Sequence, residues 1–214
     1  KVWRAPETPA EELERLCGSP EHQGVVAEVD PYPYADPASL FEADDGQGLV
    51  VALDQIQDPH NLGAVCRAAE VAGAVGVVIP ERRAASVTPA ACKASAGAVE
   101  HLPVARVRNL ADWLAEAKES GAWIYGAAAD APKRYSDLDW VGRAVLVLGS
   151  EGKGIRPRVA SRCDELVSIP TKGRVGSLNV SVAAAVVLFE AVRQRGGPGK
   201  TGIEVGGGRR LEKR

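Results

Sequence analysis

Residues 169–190 read IPTKGRVGSLNVSVAAAVVLFE, and they join a strand end, a glycine-bearing loop and the start of a long apolar helix. In α/β folds, loops at the carboxyl ends of strands gather ligands, and a helix N-terminus offers them unpaired N–H groups. Ser177 and Asn179 stand at that helix start. Small polar residues there also serve as ordinary helix caps, so this segment alone favours capping and ligand binding equally.

Two further segments have the same strand-to-helix form. Residues 146–157, LVLGSEGKGIRP, run from an apolar strand into a Gly-rich turn that carries Glu151. Residues 54–67, DQIQDPHNLGAVCR, run from a strand end into a helix whose cap is Asp58 or Asn61. Three junctions of this kind predict a site where they meet.

From Leu49 onward, strand and helix patterns alternate along the chain. This alternation predicts an α/β domain with a parallel sheet and helices on both faces. We expect strands at 49–54, 75–79, 103–107, 122–128, 143–148 and 165–169, and helices at 61–72, 88–95, 109–120 and 178–194, with a short helix from 156.

The chain divides by composition into three parts. Residues 1–24 are polar and proline-containing, as in a linker, and residues 25–195 form the predicted domain. Residues 196–214 are rich in glycine, end in basic residues and are predicted to be disordered. Methionine is absent, even from position 1, so we expect a fragment or a processed product of a longer protein.

Composition excludes several classes of protein. No apolar run reaches the roughly 18 residues of a membrane span, and the N-terminus lacks an apolar signal region, so we expect no membrane association and a cytoplasmic location. The four cysteines and three histidines are scattered without ligand spacing, which predicts neither a metal site nor a disulfide framework.

The formal net charge of −2 is not that of a typical nucleic-acid-binding domain, which is usually basic. Contact with nucleic acid must therefore come from local basic clusters. The candidates are Arg82 with Arg83, Lys133 with Arg134, Lys153 with Arg156, Arg158 and Arg162, and Lys172 with Arg174.

Together the three junctions resemble the motifs of the SpoU/TrmH branch of the SPOUT family, which comprises S-adenosylmethionine-dependent ribose 2′-O-methyltransferases acting on RNA. The resemblance covers about residues 23–195. Within the branch, HQG at 22–24, DPHNLGA at 58–64, KASAGAVEHLPVARVRNL at 93–110 and SLNVSVA at 177–183 look most similar to the RlmB type. That type methylates a guanosine ribose in the peptidyl-transferase region of large-subunit ribosomal RNA.

The resemblance implies a deep trefoil knot formed by about residues 143–195, a homodimer, and ribosomal RNA as the partner. It also implies that residues 1–24 are the linker left from a missing N-terminal RNA-binding domain. The residues that it assigns to S-adenosylmethionine are Gly149, Ser150, Ile169, Pro170, Leu178 and Asn179. Those that it assigns to catalysis are Asn61, Arg67, Glu151, Ser177 and Asn179.

Two of these roles stay open on chemical grounds. A guanidinium is protonated throughout the physiological range, so Arg67 is either a strongly perturbed general base or a cation that stabilises the developing alkoxide. A plain helix arginine paired with a carboxylate is the structural alternative. Glu151 either orients the cofactor loops or the ribose, or only caps its own loop.

Three alternatives to the ribosomal RNA methyltransferase remain. The first is an enzyme of the same branch that acts on tRNA. The second uses residues 149–154, GSEGKG, as a phosphate cradle, although this stretch matches neither common nucleotide-binding fingerprint. The third is an RNA-binding scaffold that has lost methyl transfer.

The homodimer has a sequence feature of its own. An apolar face of the last predicted helix carries Val182, Val186 and Phe189 at helical spacing.

Overall fold

The structure is a computed structural model that describes residues 5–20, 22–42 and 44–196. The chain separates into a small N-terminal unit, Lys1–Pro33, and a large unit, Tyr34–Arg214. Most of the predicted basic tail, residues 197–214, lies outside the described residues.

The described part of the N-terminal unit holds helix α1 (Ala10–Cys17). Glu11 and Glu12 stand in its first turn, where carboxylates complement the positive end of the helix dipole. Gly18 ends the helix in the left-handed conformation and donates its N–H to the Glu14 carbonyl oxygen at 2.7 Å. This short helix lies within the stretch that the sequence predicts as a linker.

The large unit contains a seven-stranded sheet in which every strand pair is parallel. Its strands are β1 (Leu49–Asp54), β2 (Gly76–Pro80), β3 (Val104–Val107), β4 (Trp123–Ala127), β5 (Lys133–Arg134), β6 (Ala144–Gly149) and β7 (Glu165–Ser168). Its helices are α2 (Pro59–Val71), α3 (Pro89–Ser95), α4 (Leu110–Glu119), α5 (Pro157–Ala160) and α6 (Val180–Arg195).

The strand order is β3-β2-β1-β6-β4-β7-β5, so β1 and β6 lie side by side near the middle. From β1 the chain winds outward to β2 and β3, whereas β4, β7 and β5 lie on the other side of β6. Asp54 and Gly149 are register partners at the carboxyl ends of β1 and β6. A change of winding direction at this point opens a crevice, which is where open α/β sheets bind ligands.

Helices cover both faces of the sheet, as predicted. Because strand side chains alternate, Val50 and Ala52 pack into a core with α4 and Val159 of α5, and Val51 and Leu53 point to the opposite face. There α2 packs between α3 and α6. The helices approach so closely that a Cβ at Gly63 of α2 would lie 2.4 Å from a backbone oxygen of α3.

The predicted order of elements is confirmed, with bounds within about two residues. The cap of α2 is Asp58, whose carboxylate accepts the His60 N–H at 2.8 Å, and the Asn61 side chain is therefore free for another role. The sequence pattern missed β5, which is only two residues long and has no periodicity to detect. The trefoil knot stays a prediction.

Among the described residues, no helix combines the length and apolar character needed to span a bilayer.

Candidate active site

Three polar side chains, one from each junction, meet at the carboxyl edge of the sheet. The Asn61 amide donates to Glu151 Oε1 at 3.0 Å. The Asn179 amide donates to Asn61 Oδ1 at 3.0 Å and to the same Glu151 oxygen at 3.1 Å. We call this group the Asn61–Glu151–Asn179 cluster. It joins residues 90 and 118 positions apart, and no local pattern would bring them together.

Asn179 combines the two roles that the sequence left open. As N-cap of α6, its Oδ1 accepts the Ser181 N–H at 2.9 Å and the Ser181 hydroxyl at 2.6 Å. Its NH2 group then faces Asn61 and Glu151. Capping therefore fixes which way the amide points, and the cluster uses the donor side.

Gly149 ends β6 where a turn folds back onto it. The Gly154 N–H donates to the Ser150 carbonyl oxygen at 2.8 Å, which closes the turn. A Cβ at Gly149 would lie 2.0 Å from the Gly154 carbonyl carbon, far inside van der Waals contact. Because those neighbours are backbone atoms, only glycine fits there.

A buried ion pair fixes the other side of the same turn. Asp54 is fully buried at the end of β1, and its carboxylate accepts from the Arg156 backbone N–H and from Nε, both at 2.8 Å. The Arg156 Nη2 lies 2.7 Å from Asp54 Oδ1. Arg156, which the sequence offers as a nucleic-acid contact, is thus committed to holding the turn. The signal for this pair was a carboxylate ending an all-apolar strand, which needs a cationic partner.

A cavity of about 470 Å³ lies beside the turn. This volume is within the range of small-molecule and cofactor sites. Its walls include five residues predicted for the site, which are Gly149, Ser150, Ile169, Ser177 and Leu178, together with Glu151 of the cluster. Two other residues predicted for the cofactor, Pro170 and Asn179, are not among its lining residues.

The loop between β7 and α6 forms one wall of this cavity. Within the described residues, segment 170–178 makes no hydrogen bond to the rest of the chain. Its residues are exposed. Backbone N–H and C=O groups of the loop are therefore available to a ligand.

A second cavity of about 270 Å³ adjoins the first, and Ser150 and Glu151 line both. Gln55, Gln57 and Asn61 form its other side. Gln55 adopts φ 62°, a left-handed conformation that is uncommon for a residue with a side chain. The sequence prediction did not single out these glutamines.

Arg67 lies outside the cluster. It is exposed on α2, and within the described part of the chain it has neither a hydrogen bond nor an ion pair. It borders an open groove of about 330 Å³ between α2 and α6. Val71, Val182 and Phe189 form apolar parts of that groove. The alternative of an Arg67–carboxylate pair therefore has no support in these residues.

Other reactive groups near the sheet do not compete for a catalytic role. Burial raises the pKa of Cys66 and of Cys163 to about 12, so both remain thiols at neutral pH. No group of three or more His, Cys, Asp or Glu side chains within the described residues is placed to bind a metal ion. The arrangement can bind and orient two substrates through hydrogen bonds.

Comparison with known proteins agrees with this geometry. A model of the SpoU rRNA Methylase family matches residues 48–189, and a model for RNA 2′-O ribose methyltransferase substrate binding matches residues 5–35. The chain is 45% identical over 190 residues to the putative TrmH family tRNA/rRNA methyltransferase YacO of Bacillus subtilis (strain 168), covering 87% of this chain and 76% of that protein.

An uncharacterized tRNA/rRNA methyltransferase of Mycobacterium avium (strain 104) is 48% identical over 193 residues, with 89% of this chain and 62% of that protein covered. Among solved structures, the SpoU methyltransferase AviRb from Streptomyces viridochromogenes in complex with the cofactor AdoMet superposes with a TM-score of 0.70. It is 30% identical, with 76% of this chain and 63% of that chain covered. The chain therefore spans less than two thirds of the mycobacterial relative and of AviRb.

Proposed function

The chain belongs to the SpoU rRNA methylase family, and we propose that it transfers a methyl group from S-adenosylmethionine to the ribose 2′-hydroxyl of a guanosine in large-subunit ribosomal RNA. The RNA methyltransferase class and the S-adenosylmethionine cofactor expected from the sequence are confirmed. The observation that carries the proposal is the Asn61–Glu151–Asn179 cluster, which stands between two adjoining cavities.

The larger cavity fits the cofactor. The close approach at Gly149 clears space that a side chain would fill, and the cavity volume suits a ligand of this size. Ile169 and Leu178 give apolar walls. Loop 170–178 offers backbone groups without internal partners, as a purine and an amino-acid moiety require. We expect Gly149, Ser150, Ile169, Pro170, Leu178 and Asn179 to form this site, with Pro170 and Asn179 acting through the position of the loop.

The smaller cavity then receives the ribose. S-adenosylmethionine supplies the methyl group, whose carbon–sulfur bond breaks as the carbon–oxygen bond to ribose O2′ forms. The chain must hold O2′ in line with that bond and accept or relay its proton. Glu151 lines both cavities, and its Oε2 has no partner among the described residues, so it is the acceptor best placed to orient the hydroxyl. Asn61 and Asn179 hold Oε1 and so fix that orientation.

Ser177 and Arg67 complete the proposed machinery. Ser177 lines the cofactor cavity without an internal hydrogen bond in the described residues, so its hydroxyl is available to the substrate or the cofactor. For Arg67 we propose an electrostatic role, because a solvated guanidinium remains charged and attracts the phosphate beside the target ribose. Its place outside the cluster argues against proton abstraction by Arg67 within one protomer.

A homodimer is part of the proposal. Val182 is 48% exposed and Phe189 37% exposed on α6, and together with Val71 they leave an apolar groove uncovered. Arg67 stands at that groove, so a partner covering it would bring its own residues beside this arginine. We further propose that residues 25–195 are the catalytic domain and that it works in the cytoplasm. Residues 1–24 are proposed to link it to an RNA-binding domain, and the match of residues 5–35 to the substrate-binding model supports an RNA-binding part at this end of the chain.

A tRNA substrate is the second candidate, because relatives carry names that include both tRNA and rRNA. A labelled methyl-transfer assay should compare a ribosomal RNA fragment, a tRNA pool and no RNA. We expect transfer to the ribosomal fragment, with most of it lost in Arg67→Ala while cofactor binding is retained. Methyl transfer to tRNA alone would show that tRNA is the substrate in place of ribosomal RNA. Cofactor binding without any methyl transfer would favour the RNA-binding scaffold.

A further inference from the structure

The structure separates the basic side chains that are already paired from those that remain free. Three arginines near the site, Arg82, Arg83 and Arg108, are exposed and have no hydrogen bond or ion pair within the described residues. In the other predicted clusters, three members are paired with carboxylates: Lys133 with Glu165 at 2.6 Å, Arg156 with Asp54 at 2.7 Å and Arg158 with Asp112 at 3.1 Å. Five further cluster members have no side-chain hydrogen bond or ion pair within the described residues, namely Arg134, Lys153, Arg162, Lys172 and Arg174, so Arg82, Arg83 and Arg108 are distinguished by their position in the fold.

Arg82, Arg83 and Arg108 lie at the sheet edge that carries the active site. Arg82 and Arg83 follow Glu81 after the end of β2, and Arg108 directly follows β3. Since every strand is parallel, these carboxyl ends share an edge with Asp54. Neighbouring strands are about 4.8 Å apart, so the strand that leads to Arg82 and Arg83 lies about 5 Å from β1, and the strand that leads to Arg108 lies about 10 Å from it.

The loop that carries Arg82 and Arg83 is fixed to the smaller cavity. The Ala85 N–H donates to the carbonyl oxygen of Ile56, a lining residue of that cavity, at 2.7 Å. Arg83 itself has φ 58°, an uncommon conformation that the surrounding structure must hold. The loop is therefore placed by the same backbone segment that forms the cavity wall.

A second anchor joins the loop to β3. The Glu81 N–H donates to the Val107 carbonyl oxygen at 2.9 Å. Arg106 donates from Nη2 to the Glu81 carbonyl oxygen at 3.2 Å, and its guanidinium stacks over the Tyr34 ring at 4.8 Å. Preorganised cations lose less entropy on binding an anion than mobile ones do.

The local charge contrasts with that of the whole chain. Loop 81–87 reads ERRAASV and contains one acidic residue, Glu81, against two arginines, and Arg106 and Arg108 follow on the next strand. The chain as a whole carries a formal charge of −2. Because the chain as a whole is slightly acidic, a polyanion is attracted to this cationic edge and not to the rest of the surface.

We propose that Arg82, Arg83 and Arg108 form a phosphate-binding track for the single-stranded RNA that flanks the target nucleotide, an inference that rests on the proposed function. With one phosphate for each guanidinium, the track contacts at most three phosphates. Such contacts set the register of the strand over the cavity without reading its sequence. The three residues are binding residues and do not take part in methyl transfer.

The test measures binding of a fluorescein-labelled single-stranded RNA to the full chain across a salt series. Arg82→Gln, Arg83→Gln and Arg108→Gln should each weaken binding about 3- to 10-fold, and the triple variant should lower the slope of log affinity against log salt by about 2. Arg162→Gln removes the same charge before β7, at the opposite sheet edge, and should change affinity less than 2-fold.

Rates and folding separate the track from other effects. In the methyl-transfer assay, the triple variant should raise the KM for RNA by about the factor by which it weakens binding, while its affinity for S-adenosylmethionine stays unchanged. Arg83→Gly relieves the left-handed backbone, so it should weaken RNA binding while keeping or raising the melting temperature. If the triple variant bound RNA with the same affinity as Arg162→Gln, the phosphate-binding track would be overturned and the proposed function would stand. Absence of RNA binding and methyl transfer in the unaltered chain would overturn the proposed function and the track together.

Discussion

Replacing Asp54 with asparagine tests how the active-site turn is held. Breaking a fully buried ion pair by removing one partner costs about 3–5 kcal/mol. Here Asp54 is fully buried, but the Arg156 side chain is 44% exposed and can regain water. Asparagine also keeps an acceptor oxygen for the Arg156 N–H. We therefore expect a smaller loss of unfolding free energy, about 1–3 kcal/mol.

For a chain of this size, a loss of 2 kcal/mol lowers the melting temperature by about 4–8 °C. Thermal unfolding of Asp54→Asn, Arg156→Gln and the double variant measures this. Because the two residues act as a pair, the double variant should cost little more than the larger single effect. Calorimetry should also show weaker S-adenosylmethionine binding, because the turn after Gly149 loses its anchor.

The opposite pattern would refute this reasoning. If Asp54→Asn melted like the unaltered chain and Arg156→Gln weakened only RNA binding, Arg156 would be an RNA contact. The ion pair would then have no part in holding the turn.

Three further predictions follow from the geometry. Gly149→Ala places a methyl group 2.0 Å from the Gly154 carbonyl carbon, so calorimetry should show loss of cofactor binding and thermal unfolding a cost of about 1–3 kcal/mol; unchanged affinity would contradict the close approach. Hydrogen bonding from Arg143 lowers the pKa of Asp44 below its ordinary value of 3.8. The folded-state pKa lies below the unfolded one, so this stabilisation is complete above about pH 4 and is lost as pH falls through the lowered value. In acid unfolding, the free energy of unfolding of Asp44→Asn should fall less steeply at low pH than that of the unaltered chain. An equally steep fall would count against the Asp44–Arg143 pair. Val182→Asp should halve the sedimentation mass of the proposed dimer, whereas an unaltered mass would place the interface elsewhere.

The sequence predicted the elements well because their signals are local. The run LVVALD at 49–54 is buried at all six positions, and an uninterrupted apolar run is typical of a central parallel strand. Thr88 and Asn109 cap the helices that they were predicted to start, because capping involves only the next few residues. The sequence did not predict β5 or α1. The two residues of β5 are too few to show a periodic pattern, and α1 buries none of its side chains.

The sequence indicated which residues belong to the site, but it did not indicate which of them contact one another. The resemblance grouped Asn61 with Arg67, but six residues along a helix turn through about 240° and separate the two side chains. The Asp54–Arg156 pair depends on the alignment of β1 with β6, which no local pattern contains. The left-handed conformation of Gln55 likewise has no signal in the neighbouring sequence.

The most direct test of the central claim locates the transferred methyl group and asks whether Glu151 directs it. The chain, S-adenosylmethionine with a labelled methyl group and a ribosomal RNA fragment are incubated, and the RNA is then hydrolysed with alkali, which cannot cleave beside a methylated 2′-oxygen. We predict label in alkali-resistant dinucleotides, and about a 100-fold lower rate for Glu151→Gln with cofactor affinity retained, as loss of a positioned proton acceptor requires. Label in mononucleotides, or a normal rate for Glu151→Gln, would contradict the account.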